Sequence, residues 1–190
     1  LETDEITLVQ IVELKDNHYI CNVLEYIGKV NDFSHDYTVL KLLTTSHWSK
    51  KFEREFSKTV NQKYSVMVNS GSSANLVMVA ALKQYFKWTS SDEILISVVG
   101  FPTTLNPIIQ AGLKPVFVDI EYDTLNFDLA ELEKKITSNT KAIFVSPVLG
   151  NPPDMDRLIY IARKNNVLII MDGCDSYGSK WNGKHLDEYA

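Results

Sequence analysis

Asp172 stands directly after the apolar run Val167–Met171 (VLIIM). A carboxylate placed there is partly desolvated and needs a partner. A protonated pyridine nitrogen, a metal ion or a ribose hydroxyl would serve, and capping of the next turn would satisfy it structurally. Beside a pyridinium nitrogen, an Asp keeps the ring charged and able to take up electrons. A second run, Asn69–Leu76 (NSGSSANL), is a small-residue turn leading into a helical pattern. Gly71 permits a tight bend, and the N–H groups of Ser72, Ser73 and Ala74 at a helix start suit a phosphate dianion. A serine-capped helix with no ligand carries the same signature. The run is neither a P-loop, since no Gly-Lys-Ser/Thr follows, nor a GxGxxG fingerprint.

Two further runs offer polar or aromatic groups. In Val99–Thr104 (VGFPTT), Pro102 restricts Phe101 to extended backbone and so fixes where its ring projects. A ring held there could stack on a flat heteroaromatic group or could cap the core. In Ser146–Asp154 (SPVLGNPPD), three prolines and a glycine make a stiff turn. Ser146 and Asn151 are offered at its ends, to a ligand or to backbone groups.

These runs need elements to position them, and the pattern supplies strands. Apolar, β-branched stretches occur at Tyr64–Val68, Ile94–Val99, Pro115–Val118, Ala142–Val145 and Val167–Met171. Helix-like stretches follow the first four, at Ser73–Gln84, Thr104–Ala111, Asp128–Ile136 and Asp154–Asn165, with Asp128 and Asp154 as N-caps. Strand–helix–strand at this spacing predicts βαβ units and a parallel sheet buried on both faces, with ligands beyond the carboxyl ends of the strands. Upstream, 37–60 reads as helical, with Trp48, Phe52 and Phe56 forming one apolar stripe. Residues 1–35 are the least regular; Thr7–Glu13 and Tyr19–Tyr26 fit short strands or a helix equally. Lys180–His185 reads as a hairpin around Asn182-Gly183.

The 190 residues suffice for one α/β domain, and 45% hydrophobic with 23% charged residues is ordinary for a globular protein. A net charge of −5 without a Lys/Arg block argues against nucleic acid or an anionic membrane as partner. Cys21 and Cys174 are too few for a disulfide framework and read as free thiols of a cytoplasmic protein. No signal peptide or long apolar span is present, and no clustered metal ligands are seen.

Taken together, the spaced motifs resemble the DegT/DnrJ/EryC1/StrS sugar aminotransferase family of fold-type I pyridoxal-phosphate enzymes. Gly100–Thr104, Asn106–Gln110 (NPIIQ) and Leu149–Pro152 (LGNP) are most similar to the branch of nucleotide-4-keto-6-deoxyhexose 3-dehydratases. Asn69–Leu76, Cys174-Asp175 and Gly178-Ser179 fit that branch too. The resemblance runs from about Thr44 to the end. It implies a three-layer α/β/α fold with a mostly parallel sheet, the incomplete large domain of this class, over 36–190. The implied cofactor is pyridoxal 5′-phosphate or pyridoxamine 5′-phosphate. Gly71, Ser72 and Ser73 would hold its phosphate, Phe101 would stack on the ring, Asp172 would pair with the ring nitrogen, and Ser146 would face the cofactor. Asp175 occupies the place where transaminating relatives carry Gln or His near the phenolic oxygen.

The resemblance also implies that the Schiff-base lysine, or the histidine replacing it in the dehydratase branch, lies beyond Ala190, together with the small C-terminal domain. The expectation is therefore an N-terminal piece without its own catalytic base, inactive alone. The full-length protein would act on a nucleotide-linked keto-deoxysugar as a homodimer. A binding or regulatory module that kept the fold and lost the chemistry is the alternative. A different α/β enzyme using Asp172 on a metal or ribose is a third.

Overall fold

A computed structural model describes Glu5–Lys15, His18–Lys29 and residues 47–189. The described residues fall into two compact units, one within Leu1–Phe56 and Ser65–Met67, the other within Ser57–Tyr64 and Val68–Ala190. In the first unit, β1 (Glu5–Lys15) and β2 (His18–Lys29) form an antiparallel pair, which settles the strand-or-helix ambiguity in favour of strands. The helix expected over 37–60 is described as α1 (His47–Thr59); 37–46 lies outside the described residues.

The Trp48/Phe52/Phe56 stripe is not the buried face of α1. Trp48 is 63% exposed and Phe52 half-exposed, whereas Ser49 and Ser57 are buried. Phe52 and Phe56 instead stack on each other with centroids 5.4 Å apart. Periodicity identified a stripe but not which side would be covered. Tyr64–Val68 likewise forms no strand. Tyr64 is 77% and Val66 74% exposed, and the Met67 N–H donates to Glu53 Oε1 at 2.9 Å. A strand exists only where a neighbour accepts its ladder bonds, and no described strand pairs with this run.

The second unit carries the expected repeat. Its elements are α2 (Gly71–Phe86), β3 (Glu93–Ser97), α3 (Pro102–Gln110), β4 (Lys114–Val118), α4 (Leu129–Lys135), β5 (Thr140–Val145), α5 (Met155–Asn165) and β6 (Leu168–Met171). The four strands form one parallel sheet in the order β4-β3-β5-β6. Alternation along the pleat sends Ile94, Ile96, Ala142, Phe144 and Ile170 to one face, against Val79 of α2 and Ile108 of α3. Leu95, Val118, Ile143 and Val145 go to the other, against Leu129 and Leu132 of α4 and Met155, Leu158 and Ile161 of α5. The result is three layers. Asp128 and Asp154 are the predicted N-caps, accepting from Ala130 and Glu131 N–H and from Arg157 N–H respectively. After the sheet, β7 (Lys180–Trp181) pairs with β8 (Lys184–His185) across Asn182-Gly183, both at positive φ as the tight turn requires. Among the described residues, no helix is long and apolar enough to cross a membrane.

The order of the strands fixes where a ligand fits. From β3 the chain passes to β4 on one side, then returns across β3 to β5 and moves outward to β6. The direction of winding therefore reverses between β3 and β5. A crevice opens at the carboxyl ends of strands at such a reversal.

Candidate functional site

That crevice is present. Residues following β3 and β5, among them Val99, Gly100, Phe101 and Ser146, line a cavity of about 220 Å³ with Thr104 and Phe144. Phe101 is the N-cap residue of α3, extended as Pro102 demands, and is 69% exposed. It is no core cap; its ring stands open beside the crevice. A second cavity of about 200 Å³ lies against Ser72 and Ser73, walled by Thr103, Asn106 and Gln110 of α3. A larger open groove of about 700 Å³ runs along α5 past Tyr160 and Lys164. It contains none of the strand-end groups, so volume alone does not locate the chemistry.

Asp172 extends β6, its N–H donating to Val145 O at 2.8 Å. The side chain is 6% exposed. Oδ2 accepts from Asn75 Nδ2 at 2.7 Å and Thr104 Oγ1 at 2.8 Å, and Oδ1 accepts from the Cys174 N–H at 3.2 Å. Asn75 lies one helical turn beyond Ser72, so the carboxylate is bonded to α2 within a turn of its start. The serine turn is also narrower in its donors than the sequence suggested. Ser70 is the N-cap; its Oγ accepts from Ser73 N–H at 3.2 Å and its carbonyl from Ala74 N–H at 3.0 Å. Two of the three expected anion donors are thus occupied. The N–H groups of Gly71 and Ser72 have no acceptor among the described residues, and they remain for an anion with the Ser72 hydroxyl and the hydroxyl proton of Ser73, whose Oγ accepts from Ser70 Oγ at 3.2 Å.

Gly71 is the first residue of α2 and is not in the left-handed region, so its lack of a side chain matters for packing rather than for backbone freedom. A Cβ there would overlap Cys174 Sγ, because the loop after β6 packs on the start of α2. Burial pushes the Cys174 thiol above its ordinary value, and the Asp172 carboxylate and Asp175 reinforce the shift. The group is therefore held as a thiol near neutral pH and is a weak nucleophile. Gly71→Ala should cost about 1–3 kcal/mol in chemical denaturation, the range for an overpacked contact. Most of that should return in Gly71→Ala/Cys174→Ala, where the nearest neighbour is Cys174 Cβ at an ordinary 3.8 Å. Strictly additive costs would show that the two residues do not press on each other.

The loops after β5 and β6 are also tied. Ser179 Oγ donates to Gly150 O at 2.8 Å, and Gly150, at φ +80°, has Asp175 O 3.3 Å from where a Cβ would stand. Asp175 itself is exposed, and Ser146 is half-buried on the wall of the crevice. Asn151 turns out to serve the backbone, donating to Thr124 O at 3.2 Å. Asn75 and Thr104 had no role in the sequence reading. Asn75 could have been found: an Asn among apolar residues inside a helix must have a buried partner. No group of three or more His, Cys, Asp or Glu is placed for a metal among the described residues.

Residues 37–190 match the DegT/DnrJ/EryC1/StrS aminotransferase family. GDP-4-keto-6-deoxy-D-mannose 3-dehydratase of Yersinia pseudotuberculosis is 41% identical over 153 residues, covering 78% of this chain and 38% of that protein. The crystal structure of a GDP-4-keto-6-deoxymannose-3-dehydratase with a trapped PLP–glutamate geminal diamine superimposes with a TM-score of 0.70 at 39% identity, covering 78% of this chain and 39% of that one. A mutant of such an enzyme with bound GDP-perosamine gives a TM-score of 0.70 at 37% identity, covering 78% and 40%. The chain thus spans about two fifths of the length of these relatives. With an α/β/α architecture shared with PLP-containing structures and a family match over most of its length, the chain belongs to the DegT/DnrJ/EryC1/StrS aminotransferase family.

Proposed function

We propose that this chain forms the cofactor cradle of an enzyme acting on a nucleotide-linked 4-keto-6-deoxyhexose, with pyridoxal or pyridoxamine 5′-phosphate as cofactor. One observation carries the reading: a buried carboxylate, Asp172, at the end of β6 is hydrogen-bonded to Asn75, one turn into the helix that the serine turn opens. The donor set suits the group. Asp172 Oδ1, held by one longer backbone bond, is the oxygen a ring N–H would meet, and the Gly71 and Ser72 N–H groups with the Ser72 and Ser73 hydroxyls offer donors to a phosphate. Phe101 supplies an open aromatic face for the ring and Ser146 a hydroxyl on the wall; by the family resemblance Asp175 would lie toward the phenolic oxygen. When bound, the cofactor supplies an electron sink for breaking bonds in the sugar. Asp172 keeps the ring nitrogen protonated, Phe101 sets the plane of the ring, and the start of α2 fixes its tail. The 3-dehydratase relatives support deoxygenation at the sugar's C3 rather than plain transamination. Asp175, standing where transaminating relatives carry Gln or His, agrees.

Titration with pyridoxamine 5′-phosphate, followed by absorbance, tests the cradle. A saturable spectral change is expected, and its absence in a folded chain would overturn the assignment. The same reading carries a homodimer. Leu76 and Val77 of α2 and Ile109 of α3 are exposed apolar side chains on the helices that bear the site, and pairing of two chains would cover them. Light scattering should give twice the chain mass at micromolar concentration; a monomer would sink this part.

A further inference from the structure

We propose that Asn75 and Thr104 are positioning residues that reserve Oδ1 of Asp172, and not Oδ2, for the ring nitrogen of the cofactor. This rests on the cofactor reading above. A carboxylate oxygen has about two acceptor sites. Oδ2 fills both, from Asn75 Nδ2 at 2.7 Å and Thr104 Oγ1 at 2.8 Å. Oδ1 accepts one longer backbone bond, from Cys174 N–H at 3.2 Å, and the Cys174 thiol lies beside the same carboxylate, so the fixed short donors are on Oδ2 alone. The two oxygens of a carboxylate are equivalent, so what the donors fix is two positions, one bonded by Asn75 and Thr104 and the other by the Cys174 N–H.

The donors are themselves fixed. Asn75 Nδ2 also donates to Thr103 O at 3.2 Å. Both of its neighbours are acceptors, so the amide nitrogen and not the oxygen must stand there. The Thr103 carbonyl is available because of Pro107. Four residues along α3, Pro107 lacks the N–H that would have bonded Thr103 O in the helical ladder. Asn75 takes that orphaned carbonyl with one hydrogen and the carboxylate with the other. Thr104, buried in the first turn of the same helix, must donate its hydroxyl proton, since an ionised carboxylate only accepts. Two elements, α2 and α3, thereby converge on one oxygen of the carboxylate at the end of β6 and leave the other outside their short bonds. A ring nitrogen meeting Oδ1 must arrive carrying its proton.

Pyridoxamine 5′-phosphate binding to the chain and to Thr104→Val, Thr104→Ser and Asn75→Ala tests the assignment. Val keeps the shape and removes the hydroxyl; Ser keeps the hydroxyl. Thr104→Val should weaken binding about tenfold, the scale of one hydrogen bond to a charged group. It should also diminish the induced circular dichroism of the bound cofactor at saturation, a signal of ring orientation that a loss of fold stability alone does not change. Thr104→Ser should restore both, and Asn75→Ala should behave as Thr104→Val. If the wild-type chain binds while Thr104→Val matches it in affinity and dichroism, or Thr104→Ser fails as Val does, the positioning role is overturned and the cofactor reading stands. If the wild-type chain gives no saturable change, the cofactor reading falls and this inference with it. A crystal structure of the complex with the ring nitrogen on Oδ2 would also overturn it, whatever the variants do.

Discussion

Asp172→Ala is expected to weaken pyridoxamine 5′-phosphate binding by about a hundredfold, roughly 3 kcal/mol, the upper range for a hydrogen bond to a charged group. The same substitution should lower folding stability by about 2 kcal/mol, because Thr104 Oγ1 and one hydrogen of Asn75 Nδ2 would be left buried without an acceptor. Asp172→Asn separates the two effects. Its amide oxygen can take the place of Oδ2 and keep both donors satisfied. Its NH₂ then takes the place of Oδ1, where it meets the Cys174 N–H and whatever the crevice binds. Folding stability should therefore stay closer to wild type than in the alanine variant. The cofactor, facing a donor instead of an acceptor, should bind with an unprotonated ring nitrogen and a correspondingly altered absorbance. Urea denaturation and the absorbance titration measure the two quantities independently. Equal binding by wild type and both variants would show that this carboxylate does not face the ring.

How much of this was legible in the sequence depends on where each residue's partner lies. The strands Ile94–Val99, Pro115–Val118, Ala142–Val145 and Val167–Met171 appear within a residue or two of β3 to β6, because each is a short apolar, β-branched run bounded by turn residues, although only the central β3 and β5 are largely buried. Asp128 and Asp154 were readable because a cap acts within three residues of itself. The failures involve partners distant in sequence. Tyr64–Val68 has the composition of a strand, but composition cannot supply a neighbour to pair with. The Trp48 stripe follows the helical period, yet Ser49 and Ser57 are the residues covered. In the candidate site, Asp172 and the serine turn announced themselves by standing at the end of a strand and the start of a helix. Asn75 and Thr104 did not, because their role exists only when α2, α3 and β6 meet. The pressure of Cys174 on Gly71 spans more than a hundred residues and left no local mark.

Phe144 and Val145, adjacent on β5 and each 1% exposed, face opposite layers of the sheet, and their truncation should have different consequences for the site. Phe144 packs in the cluster with Val79 of α2 and Ile108 of α3 and forms part of the floor of the crevice beside Phe101, Thr104 and Ser146. Val145 packs in the cluster with Met155 and Leu158 of α5, away from the crevice. Phe144→Ala should cost about 3–5 kcal/mol and Val145→Ala about 2 kcal/mol, both by lost burial and an unfilled cavity. Against the ~5–15 kcal/mol typical of a domain, the first is near the limit for a folded chain, so Phe144→Leu, which leaves a smaller void, accompanies it. Both Phe144 variants should also weaken pyridoxamine 5′-phosphate binding, because α2 and α3, which carry the serine turn, Asn75 and Thr104, rest on this ring's layer. Val145→Ala should leave affinity unchanged, since its one link to the site is the backbone carbonyl that accepts from Asp172 N–H, and that atom survives the substitution. Loss of affinity in proportion to lost stability in all three variants would mean that binding reports the fold as a whole. Loss confined to the Phe144 variants would place the determinant on the layer formed by α2 and α3.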